Sequence, residues 1–591
     1  MKSDQQDEGD LVDTPRVRDR RTTTTVFLTP ANVAGSLQPI GEDVRKTYRV
    51  DADVYADFFG RHHIRVGYDR EDLKSTDVHL YNGGFAMDVF FRTVPGTTLP
   101  PQAYAQTTYF GSGGEYGASQ TAAYIQDSWD VTDTLTVQAG LRLDQYNYKN
   151  RDGESYIKLD DQIAPRLGFT WDPRGEGRDK VYGSFGRYYL PIATNTSIRA
   201  VSGEDFHVEY RAVTVNPDGT LARDANGVPI LGARLRDDAI FARPIAPDPR
   251  EIVNADIDPM YEEEFILGYE HQFDGGMFDG WRAGVRYVHR NLASTIEDTD
   301  LGHGGVLDRY CARTRDAGCA IVDDATANDR FSGHYVLINP GKPIRLMLDL
   351  LGGPGGDNLR EITFTREDLA LEKAKRKYDA LEFTFERPFD GRWALQGSYV
   401  LARSRGNYEG AVKSDIGQTD ASITQDFDAY FMAEGGHGYL PNDRRHTLKL
   451  YGFVQATERL RVGANFYAQS GRPYGCIGYH PDDPTPGNTP GAWYCVRNGV
   501  PTLTPRGSEG RTDWVTNTDL NVTWDIVQAR EGFGSVSAAV DVFNLFDEKA
   551  VTRVVEQGET GGAPGIVVPS YGQPRSYQTP RSVRFTLRYA F

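Results

Sequence analysis

The sequence predicts an all-β chain, a transmembrane antiparallel β-barrel with long extracellular loops, and three observations carry that expectation. The last nine residues, Val583-Arg-Phe-Thr-Leu-Arg-Tyr-Ala-Phe591, alternate apolar and polar and end on an aromatic carboxy-terminus. Side chains of a strand alternate with period two, so Val583, Phe585, Leu587, Tyr589 and Phe591 share one face and Arg584, Thr586 and Arg588 the other. Segments of the same kind recur along the whole chain. The connections between them alternate short and long, as in membrane barrels with tight periplasmic turns and long outer loops. Taken alone, the terminal segment also suits an amphipathic edge strand of a soluble sheet.

Composition narrows the field. The chain has 591 residues and no run approaching the roughly 18 to 20 consecutive apolar residues of a membrane-spanning helix. That excludes helical membrane proteins but not a barrel, in which only every second residue must be apolar. Aromatics at 12%, led by 33 Tyr and 28 Phe, fit interfacial belts, although Tyr-rich carbohydrate-binding sandwiches share them. A net charge of −18 without a basic stripe argues against nucleic acid as a partner. Residues 1–20 are polar and charged, without the apolar core of a secretory signal, so the export signal of a barrel is expected upstream of Met1.

The candidate strands, in order, are 46–59, 63–70, 121–129, 135–148, 163–171, 180–189, 261–273 and 281–290. They continue with 378–387, 393–404, 446–454, 460–470, 517–525, 536–546 and the terminal strand. Alternation is cleanest in Tyr48-Arg-Val-Asp-Ala-Asp-Val-Tyr-Ala-Asp-Phe58 and Leu135-Thr-Val-Gln-Ala-Gly-Leu-Arg-Leu-Asp144. Short turns at 60–62, 131–134, 390–391 and 456–459 alternate with long connections at 71–120, 190–260, 291–377, 405–445 and 471–515. A compact soluble domain has no reason to place its long connections at every second position. If the terminal strand descends to the periplasm, parity puts every long connection outside. The count is about fifteen strands, an additional candidate lies over 22–28, and an even total is expected. The domain reading is a largely irregular segment over residues 1–45 and a barrel over 46–591.

Several segments resemble one family, the TonB-dependent outer-membrane receptors, and within it the Oar-like branch. They are Ala123-Tyr-Ile-Gln-Asp-Ser-Trp129, Glu262-Glu-Glu-Phe-Ile-Leu-Gly-Tyr-Glu-His271, Leu440-Pro-Asn-Asp-Arg-Arg-His446, Ala468-Gln-Ser-Gly-Arg-Pro-Tyr474 and Val542-Phe-Asn-Leu-Phe-Asp547. The most specific is Asn544, Leu545, Phe546 and Asp547, placed in the penultimate strand ahead of an aromatic terminal strand. The resemblance implies a barrel of about 22 strands around a separate plug with a TonB box, of which this chain looks like about 16 strands with the plug missing. It also implies that Phe585, Leu587, Tyr589 and Phe591 form the signal read by the barrel-assembly machinery. TonB is implied as a partner only if a plug and box stand upstream, and outer-membrane lipid is the other partner.

The four cysteines fall two to a loop, Cys311 with Cys319 and Cys476 with Cys495, and their number and expected exposure to an oxidising space favour two disulfides. A metal site is the rival, but His303 and His480 form no ligand set with them. Parity sets Glu262, Glu264 and Glu270 opposite Arg282, Arg286 and Arg290 on the next strand, inside the barrel. They serve either as a contact surface for plug or solute or simply as a hydrated polar wall. The glycine run 352–356 lacks the flanking strand and helix of a phosphate loop and reads as flexible loop. His62-His63 sits at a periplasmic turn and reads as interfacial.

No nucleophile elbow or metal-protease helix appears, and acid pairs such as Asp482-Asp483 are too common to mark catalysis, so neither an enzyme nor a cofactor is expected. The leading expectation is a gated outer-membrane receptor for a scarce solute, whether siderophore, oligosaccharide or peptide. The rivals are a passive porin-like or structural barrel and a secreted glycan-binding β-protein.

Overall fold

Fifteen strands follow one another in an antiparallel meander, each hydrogen-bonded to the next in sequence. The computed structural model describes residues 2–5, 13–22, 24–30, 37–201, 205–242, 247–321, 331, 333–418, 424–483, 490–530, 534–560 and 565–591. The meander opens with β1 (Leu37–Asp57), β2 (Arg61–Leu80), β3 (Gln102–Thr132), β4 (Leu135–Lys149), β5 (Ser155–Trp171), β6 (Asp179–Leu190), β7 (Met260–Gln272) and β8 (Arg282–Ser294). It continues with β9 (Arg376–Arg387), β10 (Trp393–Gly406), β11 (His446–Gln455), β12 (Leu460–Gln469), β13 (Val515–Arg530), β14 (Gly534–Phe543) and β15 (Ser582–Ala590). Among the described residues no ladder joins β15 to β1.

Register turns period two into a continuous outer belt. Val66 pairs with Ile125, Ile125 with Leu141, Phe185 with Phe265, Leu381 with Leu401 and Ala538 with Leu587. The large apolar members are exposed: Ile125 by 51%, Leu167 by 55%, Trp524 by 54% and Leu587 by 74%. A surface so apolar is at home only in lipid, where strands satisfy one another's backbone groups.

In three of the short periplasmic turns one side chain closes the turn. Thr132 Oγ1 accepts from Thr134 N and Leu135 N, Asp390 Oδ1 from Arg392 N and Trp393 N, and Thr457 Oγ1 from Arg459 N and Leu460 N. At the first turn Gly60 takes φ +117°, where a side chain would run into the Asp130 carbonyl. Aromatics gather at this end. His62 is stacked between Phe58 at 4.1 Å and Trp129 at 5.3 Å, and Trp281 meets Trp393 at 6.1 Å.

The strands differ from the sequence reading at their outer ends. Residues 71–120, expected as a loop, are largely strand: β2 runs on to Leu80 and β3 begins at Gln102, with Ala86–Arg92 paired against it. The 31 residues of β3 reach roughly 100 Å, against about 30 Å of hydrocarbon. Beyond the bilayer the sheet faces water and other loops, so alternation stops marking it. The first strand starts at Leu37, ahead of 46, and the strand expected over 536–546 ends at Phe543. Of the candidate strand over 22–28, only Val26–Phe27 is strand among the described residues, and residue 23 lies outside them. His62 and His63 belong to β2 itself, the turn preceding them.

The packed core lies outside the membrane span. The connection from β8 to β9 folds on itself, pairing Glu297–Asp300 with Tyr335–Ile338 and Ile344–Leu348 with Arg360–Phe364. Leu301, Val336, Leu348 and Phe364 there are wholly buried. The glycine run 352–356, expected to be flexible, is an organised turn. Asp349 gathers the amides of Leu351, Gly352 and Asn358 at 2.8 to 3.1 Å, and Gly355 N donates to Glu251.

Candidate functional site

The inner wall of the sheet is polar and charge-paired. Glu262, Glu264 and Glu270 lie on the face of β7 opposite the exposed Phe265, Leu267 and Tyr269, and Arg282, Arg286 and Arg290 continue that face on β8. The turn at 273–281 sets a register in which only Glu264 stands directly across from Arg290, at 2.6 Å. Arg290 also reaches Glu262 at 3.9 Å. The remaining pairs look to other strands: Arg286 to Glu382 at 2.5 Å and Arg282 to Glu386 at 3.9 Å on β9, Glu270 to Lys180 at 3.4 Å on β6, and Glu262 past β8 to Arg376 on β9 at 2.8 Å. The expected facing of acids and bases across one hairpin is thus corrected to a ladder of ion pairs across β6 to β9.

Above this wall the long connections dock on one another. In the loop between β8 and β9, helix α1 (Val306–Thr314) is tied to the following turn by the Cys311–Cys319 disulfide, with a Cα separation of 5.6 Å. Its Arg313 binds Asp368 at 2.5 Å, and Asp368 in turn closes a capping box with Thr365. The same loop meets the one between β10 and β11: Glu297 accepts from Thr424 N at 2.9 Å, and Asp300 N donates to Asp428 O at 3.0 Å. Burial, then the neighbouring Asp298, pushes the Glu297 carboxyl well above its ordinary value.

A buried charge network locks three loops together. Arg506 is held by Asp415 at 2.6 Å and Asp426 at 3.1 Å. Lys413 joins Asp426 at 3.1 Å, while Arg472 spans Asp415 at 3.2 Å and Glu556 at 2.7 Å. Arg506 and Lys413 lie over the buried Trp493 ring at 5.2 and 5.3 Å. Burial works to lower the Arg506 pKa, but Asp415 and Asp426 outweigh it and hold the guanidinium charged. Burial pushes Glu556 up to about 7, with Asp415 adding to the effect.

Cys476 and Cys495 are joined, with Cα atoms 6.1 Å apart, and lie buried beside this network. Gly558, from the loop between β14 and β15, covers both sulfurs, leaving no room for a Cβ. Glu556 accepts from Gly475 N and Glu559 from Tyr479 N, so that loop clamps the disulfide loop through its amides. His480 is buried, its Nδ1 accepting from Asp482 N and its Nε2 binding Glu434 at 2.7 Å, and Tyr494 reaches the same carboxylate at 3.2 Å. His303 packs edge-on to Phe431 at 4.8 Å. Among the described residues no group of His, Cys, Asp or Glu is arranged to hold a metal ion.

The Asn544 signature lies in a turn after β14, a correction to its placement within the strand. Asn544 takes φ 48° and Asp547 φ 55°, conformations a strand cannot contain. Asn544 Nδ2 donates to Glu548 O and Thr579 O, and its Oδ1 accepts from Glu548 N, all at 2.9 Å. Phe585, Leu587, Tyr589 and Phe591 are exposed along β15 and at the end of the chain. Sequence reasoning missed Arg506, Asp415 and Glu556 and met Arg472 only inside the segment 468–474 without a role, since their partners lie in different loops and no local pattern marks the pairing.

A protein-family model described as an outer membrane beta barrel domain matches residues 147–459. The TonB-dependent transporter Oar of Myxococcus xanthus is 26% identical over 616 aligned residues, covering 93% of this chain and 50% of that protein. The chain spans about half the length of this curated relative. The crystal structure of the outer membrane transporter YddB from Escherichia coli superposes with a TM-score of 0.50 at 12% identity, covering 97% of this chain and 57% of that one. At that identity the likeness concerns the fold alone.

Proposed function

The chain belongs to the outer membrane beta barrel domain family, and we propose that it is the strand-and-loop barrel of a TonB-dependent receptor taking up a scarce solute. It is a multi-pass β-barrel protein of the outer membrane. The observation that carries the receptor reading is the docking of the long connections into one packed assembly above a charge-paired inner wall. Ordered loops present fixed side chains to a ligand, which lowers the entropic cost of capture. The outward faces of these docked loops are the capture surface in this reading. Siderophores, oligosaccharides and peptides are the candidate solute classes.

On this proposal the barrel portion runs from Leu37, and TonB is a partner only if a plug and box stand upstream of it. The aromatic terminal strand is the part handed to the barrel-assembly machinery. Uptake of labelled solutes of each class, in cells lacking other receptors, tests the reading. Saturable import is expected when the chain is joined to a plug-bearing upstream region and TonB is functional, and none from the 591-residue chain alone. Equal, unsaturable passage with and without TonB would instead mark a passive pore.

A further inference from the structure

On the lipid-facing side of β6 to β10 the apolar belt gives way, toward the extracellular end, to two polar rows set by the strand register. The lower row runs Phe185, Phe265, His289, Asp379, Arg403. The upper row runs Arg187, Glu263, Asn291, Lys377, Arg405. A groove of about 260 Å³ is cut between them, with Phe185 and Phe265 as its apolar floor and the side chains of His289, Asn291, Lys377 and Glu263 around it.

The acids here are already engaged. Glu263 holds Arg187 at 2.7 Å, and Asp379 accepts from Tyr287 at 2.6 Å and meets His289 at 2.8 Å. Lys377, Arg403 and Arg405 are exposed and, among the described residues, form no ion pair with a carboxylate. Arg405 lies over Tyr439 at 4.9 Å. Three such cations at the upper edge of a lipid-facing surface call for an anion, and a guanidinium fork matches phosphate oxygens in geometry. The anion has to come with hydrocarbon attached, because the groove floor is continuous with the belt that faces lipid.

We propose that this groove seats a phosphorylated lipid headgroup of the outer leaflet, with phosphate against Lys377, Arg403 and Arg405 and an acyl chain along Phe185 and Phe265. The site is a lipid contact, separate from the solute-capturing loops. The purified full chain in neutral detergent is titrated with diphosphorylated lipid A, dephosphorylated lipid A and inorganic phosphate, and binding is read by native mass spectrometry. The phosphorylated lipid is expected to bind at least about tenfold more tightly than its dephosphorylated form, and K377E/R403E/R405E to lose at least about tenfold in affinity. Inorganic phosphate is expected not to displace it. Heat-dependent electrophoretic mobility reports whether the triple variant is folded, and Lys377→Gln, with an expected loss of a few-fold, serves if it is not. Equal binding of both lipids, or unchanged binding by the folded variant, overturns the proposal. Displacement by inorganic phosphate overturns the lipid assignment in favour of a simple anion site.

Discussion

The guanidinium of Arg506 lies 2.6 Å from the carboxylate of Asp415, 91 residues away in sequence, and both side chains are buried. This pair joins the loop between β12 and β13 to that between β10 and β11. Arg472 and Glu556 extend it to the loop between β14 and β15. Charges so deeply buried persist only in company, and removing one partner leaves the other uncompensated.

Arg506→Gln is therefore expected to weaken docking of these loops by about 3 to 5 kcal/mol. Hydrogen exchange should rise across residues 409–418 and 472–483, while β11 and β12 keep their protection. Unchanged exchange in the loops would show that the network does not hold them.

Loop docking should also depend on pH through Glu556. Its value in the docked state, about 7, lies above the ordinary 4.5, so the docked loops hold more protons between those values. Stability is then fully present below about 4.5 and declines as pH rises toward 7. Asp426 is shifted the other way by Arg506 and Lys413 despite its burial, so its contribution is lost only as pH falls below 3.8. Glu556→Gln should flatten the denaturant midpoint between pH 4.5 and 7, and a slope equal to that of the parent would refute the assignment.

The two disulfides should reduce in a fixed order. Cys311 and Cys319 are half-buried, whereas Cys476 and Cys495 are buried under Gly558. Under increasing reductant, alkylation is expected at Cys311 and Cys319 first. Gly558→Val, whose side chain would overlap both sulfurs, should bring labelling of Cys476 and Cys495 forward.

Asn544→Ala should destabilise the turn after β14 by about 2 to 4 kcal/mol, losing three hydrogen bonds at a left-handed position. Asn544→Gly restores the backbone freedom but not the bonds, so it should recover only part of the loss. Heat-dependent mobility of the folded barrel measures both.

Leu587→Arg places a charge on the lipid face of β15, at an expected cost of about 2 to 4 kcal/mol if it lies near the bilayer midplane. Replacement of the inner-face Thr586 by Arg should cost far less. Folding yields into lipid vesicles compare the two, and equal yields would reverse the face assignment.

The sequence by itself determined the strands that cross the membrane. Lipid accepts only one kind of side chain, so residues such as Ile125, Leu141 and Leu587 recur at every second position and can be read without a structure. It also made the two-per-loop distribution of the cysteines visible, because each pair is close in sequence. Only the tertiary structure decided where β2 and β3 end, since outside the bilayer no solvent imposes a period on them. It alone set the register that gives Arg290 to Glu264 and Arg286 to Glu382, which depends on turn length rather than residue type. It alone brought Arg506, Asp415, Arg472 and Glu556 together, because a buried charge is specified by partners on other loops, and chain separation carries no record of that proximity.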